Sequence, residues 1–459
     1  MLFRQVLHED LGCASYLVGD GETGQVAVVD PQWNVEPYLD LARLHGVSIE
    51  HVLETHNHAD HVSGHGRLVE ATGATIHVSA LADAQYEHDP ISEGWRLDLG
   101  RVRIEALPTP GHRPEHTAFL LRDLSRGEEP WAVLTGDSLF VGDVARPDLA
   151  IEAREGAAGI FRSLHDGLLA LPDEVEVWPG HLGGSLCGSA GIDQKTSSTI
   201  GYERKHNLGL RYEDEASFIE AQVESLGSKP PNLERIVALN QGPLIGPLEP
   251  PRGLAPRAVE AAVGGGATLI DARPTAEFAE AHIPGALSAS AQETGFATRV
   301  ARVIGPDEEL IVVAADDARS LAATHLLAAV GLRVGAYLEG GMDSWRGDGR
   351  TVEATEAIDV EGLVGLVGSD APPTILDVRD TEEFAEQRIP GSINVPYGDL
   401  GERVREVPTS GPVAVVCSAG RRSPLAASML QRAGVEEVAY VAGGGVTDWA
   451  ESGRPIEAG

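Results

Sequence analysis

Short apolar runs separated by turns dominate the pattern of this chain. Leu310–Ala314 and Val413–Val416 read as buried strands, and His51–Leu53, Val102–Leu107, Trp131–Leu134 and Val175–Trp178 are runs of the same kind. Stretches such as Ser423–Ala433 switch to helical spacing. Strand and helix signals that alternate predict a parallel sheet covered by helices. For 459 residues, two to four domains are expected at roughly 100–200 residues each.

An internal repeat sets the boundaries. Ala267–Ser288 (ATLIDARPTAEFAEAHIPGALS) returns as Pro373–Val395 (PTILDVRDTEEFAEQRIPGSINV), which pairs Asp271 with Asp377 and Pro284 with Pro390. YLEGGMDSW, ending at Trp345, returns as YVAGGGVTDW, ending at Trp449. Such a period is too long for a solenoid and fits two complete α/β domains in tandem, assigned to residues 257–354 and 355–459. The proline-rich stretch Lys229–Pro256 reads as a break in regular structure, with 244–256 as a semi-rigid linker. Residues 1–243 are left as an amino-terminal domain with a core of its own.

Charge narrows the partners. With 35 Lys+Arg against 70 Asp+Glu the net charge is −35, and a surface of that sign repels nucleic acid and anionic membrane. No apolar run approaches the roughly 18 residues of a membrane helix, and Met1–Asp10 lacks a signal-peptide core. The three cysteines, Cys13, Cys187 and Cys417, are too few for a disulfide scaffold, so a reducing, cytoplasmic setting is expected. Cys13, just before the strand-like Ser15–Val18, reads as a small core residue. Association into a homo-oligomer stays open.

The amino-terminal domain carries a histidine constellation. His51–Leu53 leads into Thr55-His56-Asn57-His58-Ala59-Asp60-His61. Thr109-Pro110-Gly111-His112 follows Val102–Leu107, Thr135-Gly136-Asp137 follows Trp131–Leu134, and Pro179-Gly180-His181 follows Val175–Trp178. Four strand–turn–ligand groups in order can aim imidazole and carboxylate at one point, a donor set suited to zinc, iron or manganese. His8, His45, His51, His77, His88 and His165 read as surface or satisfied core groups.

This constellation resembles the metallo-β-lactamase superfamily over about Met1 to Pro243. The resemblance implies an αββα sandwich with metal at one edge of the paired sheets. It does not fix the reaction, because members include hydrolases, oxidoreductases and nucleases. Flavodiiron proteins carry glutamate where this chain has His58. Two relatives remain. Glyoxalase II-type thioesterases imply a two-zinc site built from the whole set. Persulfide dioxygenases imply one Fe(II) per chain on His56, His112 and Asp137, with His58, Asp60, His61 and His181 as surrounding or second-metal groups. Gly136–Leu149 (GDSLFVGDVARPDL), Gly183–Gly188 (GGSLCG) and Ser197–Arg204 (SSTIGYER) are similar to dioxygenases fused to rhodanese domains. The glyoxalase turn Gly-Cys-Gly-Arg is replaced here by Asp143-Val144-Ala145-Arg146. Cys187, Arg146 and Tyr202 are candidates for sulfur relay or substrate binding.

In the second repeat, VVCSAGRRS (Val415–Ser423) ends a buried strand at Cys417 and opens a helix near Ser423. Loop N–H groups, the helix amino-terminus and the charges of Arg421 and Arg422 favour a thiolate or an anionic persulfide. The pattern is similar to the rhodanese loop Cys-x-x-Gly-x-Arg-Ser, met at Cys417, Gly420, Arg422 and Ser423. A tyrosine-phosphatase loop would need arginine at the place of Ser423. The first repeat has Ala314 at the cysteine position, beside Asp316 and Asp317, so it reads as a copy without sulfur chemistry. The expectation is an α/β protein that oxidises a low-molecular-weight persulfide such as glutathione persulfide with O2. Cys417 would pass sulfane sulfur to sulfite or take it from thiosulfate. The alternatives are a zinc thioester hydrolase with a sulfurtransferase tail, and a persulfide-binding sensor without turnover.

Overall fold

The computed structural model describes all residues except 184, 186, 188–190, 247–248, 306, 409–410 and 459. Parts of the Gly183–Gly188 motif and of the 244–256 segment therefore lie outside the described residues. Two compact units are formed, Met1–Glu249 with Ala329–Gly331, and Pro250–Ala328 with Leu332–Gly459.

The first unit pairs two six-stranded sheets. One runs in the order Leu2–His8, Cys13–Asp20, Gln25–Val29, Ser48–Leu53, Thr75–Ser79, Asp89–Ile91. The other runs Ser198–Thr199, Glu176–Pro179, Ala132–Gly136, Thr117–Asp123, Val102–Pro108, Arg96–Leu99. Strand side chains alternate between faces, and the two faces of the first sheet meet different partners. Tyr16, Val18, Ala27 and Val29 pack on Ile104, Phe119, Leu121 and Leu134 of the second sheet. Leu17, Val26 and Val28 face outward onto Tyr38 and Leu68, which belong to the helices Glu36–His45 and His65–Thr72. Across the second sheet, Val133 and Val177 cover Ala157 and Ile160 of the helix Ala153–Arg162. This is the αββα sandwich.

The second unit holds two five-stranded, all-parallel sheets of one topology. Their orders are Arg252–Leu254, Val334–Leu338, Leu310–Val313, Thr268–Asp271, Leu287–Ser288, and Glu356–Ile358, Val438–Val441, Val413–Val416, Thr374–Asp377, Ile393–Asn394. Asp271 pairs with Val313 and Asp377 with Val416, so Ala314 and Cys417 each stand one residue past equivalent strands. The repeated Asp-x-Arg motif is structural. Arg273 and Arg379 are buried, bind Asp271 and Asp377 through two nitrogens each, and donate to the carbonyls of Ala281 and Gln387.

The proline-rich stretch is more regular than expected. Its prolines cluster at both ends, and the proline-free interval forms the helix Leu233–Gln241. Within the segment read as a linker, Arg252–Leu254 is an edge strand paired with Val334–Leu338. An edge position tolerates the neighbouring prolines because one side of the strand needs no partner. No helix among the described residues is long and apolar enough to cross a membrane.

Candidate functional site

The His56–His61 loop starts where Ser48–Leu53 ends and is held from below. Asp30, at the end of the neighbouring strand, accepts from the Thr55 N–H (2.7 Å) and Thr55 Oγ1 (2.9 Å). With its proton given to Asp30, Thr55 Oγ1 accepts from His56 Nδ1 at 2.9 Å, which leaves Nε2 as a bare lone pair. His112 is set in the same way, because its Nδ1 donates to the Arg146 carbonyl at 2.9 Å. Asp137 Oδ1 accepts from His181 Nδ1 at 2.8 Å. The free atoms that result converge: Asp137 Oδ2 lies 3.8 Å from His56 Nε2 and 3.5 Å from His112 Nε2. All three are buried, and none has a hydrogen-bond partner among the described residues. Burial, together with His58 and His116, holds the His56 imidazole well below its usual range, and burial also lowers His112. Burial works to raise Asp137, but His181 brings it down to about 2. Two neutral imidazoles and one carboxylate with aligned lone pairs are the donor set a divalent metal requires.

Backbone and glycine geometry sharpen the site. The Asp137 N–H donates to His116 Nε2 at 2.9 Å, and His116 Nδ1 bonds Thr109 Oγ1 at 2.7 Å, so burial keeps His116 neutral, down to about 3. Gly111, at φ +147°, lies so close to the helix Ala153–Arg162 that a Cβ there would stand 2.3 Å from the Ile160 nitrogen. No other residue fits before His112.

The remaining candidates separate into two groups. His58 Nε2 lies 3.3 Å from both Asp30 Oδ1 and Glu54 Oε2. Burial disfavours its charge, yet these two carboxylates hold His58 well above its usual range. Asp60, His61 and His181 form another group, and Cys13 joins it. The Cys13 sulfur lies 3.3 Å from His181 Nε2, 3.7 Å from His61 Nδ1 and 3.6 Å from Asp60 Oδ2. Cys13 is a buried core residue, as expected, and its sulfur also borders this group.

Of the substrate-binding candidates, Cys187 lies beside Asp137 and His181, and burial raises its thiol well above the ordinary range. The Arg146 guanidinium is engaged by Asp148 and by the carbonyls of Gly227 and Ser228. Its backbone carbonyl accepts from His112 Nδ1. Tyr202 is half-exposed, with its ring against Lys195 and His206.

In the second unit, Cys417 leaves the strand Val413–Val416 and enters a cradle. The N–H groups of Gly420 (3.2 Å) and Arg422 (3.4 Å) donate to its sulfur, and the helix Ser423–Arg432 follows. Ser423 Oγ stands 3.7 Å from the sulfur and donates to the Val441 carbonyl. Arg422 is turned aside onto Glu383 (2.6 and 2.8 Å), which leaves Arg421 as the exposed charge of the loop, bonded to Thr294 of the first repeat. In that repeat the helix Asp317–Ala329 begins three residues past Ala314, on the positions that form the sulfur cradle after Cys417. Asp316 caps it by accepting from the Arg319 N–H.

The sequence pattern of the metallo-beta-lactamase superfamily matches residues 8–181, and that of the rhodanese-like domain matches 255–348 and 361–452. The human mitochondrial persulfide dioxygenase ETHE1 is 30% identical over 185 residues, 39% of this chain and 68% of that protein. The chain belongs to the metallo-β-lactamase superfamily and is fused to two rhodanese-like domains. This metallo-β-lactamase–rhodanese fusion is also 35% identical over 170 residues to the cytoplasmic hydroxyacylglutathione hydrolase of Arabidopsis thaliana, 36% of this chain and 62% of that protein. A crystal structure of a metallo-beta-lactamase from Staphylococcus aureus subsp. aureus COL superposes with a TM-score of 0.66 at 27% identity. That match covers 74% of this chain and 98% of the other, so the likeness extends past the αββα unit. Sequence reasoning missed several groups that position the fusion protein's metal loop. Asp30 and Glu54 face His58, and Asn240 donates to the carbonyls of His58 and His61. Asp30 and Asn240 lie in other segments of the chain, and no local pattern ties either to the loop.

Proposed function

We propose that the αββα unit oxidises a low-molecular-weight persulfide to sulfite and that the second rhodanese-like domain moves sulfane sulfur through Cys417. The carrying observation is the convergence of His56 Nε2, His112 Nε2 and Asp137 Oδ2 as buried, unpartnered atoms, while His58 turns to Asp30 and Glu54. Two imidazoles and one carboxylate leave coordination positions open and suit one Fe(II) per chain, whereas a two-metal hydrolase would draw His58 into the set. Likeness to the human persulfide dioxygenase supports the same choice. An Fe(II) ion held there would supply the redox chemistry that joins O2 to the outer sulfur.

The balance is RSSH + O2 + H2O giving RSH, sulfite and two protons. The protein's part is to hold its donors ready: Thr55 and the Arg146 carbonyl fix the two imidazole tautomers, and His181 fixes the carboxylate. In the other unit, the Gly420 and Arg422 N–H groups stabilise the anionic sulfur that Cys417 carries as a persulfide. The Cys417 persulfide gives its outer sulfur to sulfite to form thiosulfate, and the reverse step reloads it. Joining the two activities in one chain raises their effective concentration for shared sulfur species.

The test is oxygen uptake by anaerobically purified protein on adding glutathione persulfide, with iron and zinc quantified in the same sample. Uptake that scales with iron, with sulfite produced, supports the reading. A sample with two zincs, no uptake and cleavage of glutathione thioesters overturns it in favour of hydrolysis.

A further inference from the structure

Within the second unit the two rhodanese-like copies are joined by hydrogen bonds. Ser428 Oγ accepts from the Ser288 N–H (3.0 Å), Arg432 donates to Thr268 Oγ1 (3.1 Å), and the Tyr440 hydroxyl donates to the Thr275 carbonyl (3.1 Å). The thiol-less copy thereby brings its segment Glu293–Arg302, which includes the helix Phe296–Ala301, onto the loops around Cys417. Those loops leave the carboxyl ends of the second copy's strands, where open parallel sheets bind their ligands. They are tied to one another: the Tyr397 N–H donates to the Val378 carbonyl (3.1 Å), and the Val378 N–H donates to the carbonyl of Val416 (3.0 Å), the residue before Cys417.

The charged groups of this crevice are either engaged or available. Glu383 is bound to Arg422, Asp380 Oδ2 lies 3.8 Å from Arg422, and Glu293 Oε2 holds Arg299 at 3.2 Å. Two guanidinium groups are left over. Arg421 donates to the neutral Thr294 Oγ1 at 3.2 Å, and the Arg302 side chain forms no hydrogen bond or ion pair among the described residues. The Arg302 stem lies across Gly398, where a Cβ would stand 2.9 Å from its Cγ. Next to Gly398, Tyr397 is only 8% exposed, and its hydroxyl has no hydrogen-bond partner among the described residues. Burial raises this hydroxyl, and the charges that act on it are Arg302, Arg422, Asp380 and Arg299. A buried hydroxyl left without a partner costs stability, which a ligand with an acceptor atom removes. The available groups are all donors, and two are cations, so the matching ligand carries oxygen acceptors and negative charge.

We infer that Arg302 and Tyr397, together with Arg421, form an oxyanion subsite for the Cys417 loop, which takes the sulfonate end of thiosulfate and holds sulfite. The thiol-less copy thus supplies a specificity-determining residue, Arg302, to the copy that has the thiol. The inference rests on the reading of Cys417 as a sulfur carrier. In the loading step the Cys417 thiolate attacks the outer sulfur of thiosulfate, and the sulfur–sulfur bond breaks. Sulfite leaves with the bonding pair, and Cys417 keeps an anionic persulfide. Arg422 is neutralised by Glu383, so the charge of the leaving sulfite falls to Arg302 and Arg421.

The test titrates the full chain carrying Cys417→Ser, on which thiosulfate binds without reacting, by calorimetry. Thiosulfate-to-cyanide transfer by the wild type is read in parallel. Arg302→Gln in the Cys417→Ser background should weaken thiosulfate binding about tenfold or more, and Tyr397→Phe should weaken it several-fold. Arg302→Lys keeps the charge without the fork and should recover part of the loss, a rescue that a merely structural role would not give. Arg257→Gln removes an equal charge from the exposed helix Pro256–Gly264 and should leave the affinity unchanged. Thermal midpoints equal to the parent's show that each variant is folded. Wild-type affinity in Arg302→Gln, or an equal loss in Arg257→Gln, overturns the subsite. Binding that depends on Arg302 in a protein that transfers no sulfur keeps the subsite and refutes the carrier reading instead.

Discussion

His181 Nδ1 donates to Asp137 Oδ1 across 2.8 Å, with both side chains buried. That one bond turns Oδ2 toward His56 and His112. Replacing His181 with Ala leaves Oδ1 without its donor in a buried site and lets the carboxylate rotate. Loss of such a supporting partner weakens metal binding about 10–100-fold. Competition between the protein and a chelator for Fe(II) measures this, and wild-type affinity in His181→Ala would refute the role.

Asn240 holds the metal loop from the helix Leu233–Gln241. It is buried, donates to the carbonyls of His58 (3.0 Å) and His61 (2.9 Å), and accepts the Ser63 N–H (2.9 Å). Asn240→Ala strands three backbone groups, at a cost of about 1–3 kcal/mol for each one left unsatisfied. A lower thermal midpoint of the metal-free protein, together with reduced iron content after reconstitution, is the expected outcome.

This residue also marks where sequence reading reaches its limit. The converging donors were legible because His56 to His61 is contiguous and His112, Asp137 and His181 each follow a strand of their own, so local order alone brings them forward. Cys417 was legible for the same reason. Cys13, Asp30 and Asn240 come to the site through sheet pairing and a returning helix, contacts that no local spacing records. Counting prolines across Lys229–Pro256 hid the helix, because the residues around Asn240 contain none. Arg146 stood out for its charge, and its carbonyl bond to His112 is a further contact that no local pattern shows.

Glu383 fastens Arg422 in the sulfur-transfer loop. Burial alone would raise its pKa, but the bonds from Arg422 and Ser418 lower it to about 2, against an unfolded value of about 4.5. A depressed carboxylate stabilises the fold above its unfolded pKa and loses that contribution as pH falls through the folded one. The side chain is 35% exposed, so solvent screening reduces the effect to about 1 kcal/mol. Glu383→Gln should therefore lower the thermal midpoint of the rhodanese unit by about 2–4 °C at pH 7. The difference from wild type should close between about pH 4.5 and pH 2. A gap independent of pH would show that shape, not charge, is what Glu383 contributes.

Cys417 allows the two proposed activities to be tested apart. The Cys417→Ser variant should lose thiosulfate-to-cyanide sulfur transfer entirely and keep iron-dependent oxygen uptake with supplied persulfide. Parallel assays on one preparation read both. Loss of both would mean that the two chemistries share a single site.

The first rhodanese-like copy lacks more than a thiol. Ala314 occupies the cysteine position, but the helix behind it starts at Asp317, so the residues that would form a sulfur cradle are already helical. The N–H of Arg319 is taken by Asp316, and Asp317 accepts the Gly340 N–H at 2.7 Å. Carboxylates stand where the Cys417 copy directs N–H groups at sulfur, and they repel a thiolate or an anionic persulfide. Ala314→Cys in a Cys417→Ser background should therefore show no sulfur transfer above the Cys417→Ser parent. Its thiol should alkylate more slowly than Cys417 does in wild type. Adding Asp316→Gly and Asp317→Gly to shorten the helix should raise that alkylation rate at least several-fold. Transfer regained by Ala314→Cys alone would show that the thiol was the missing part and the loop was not.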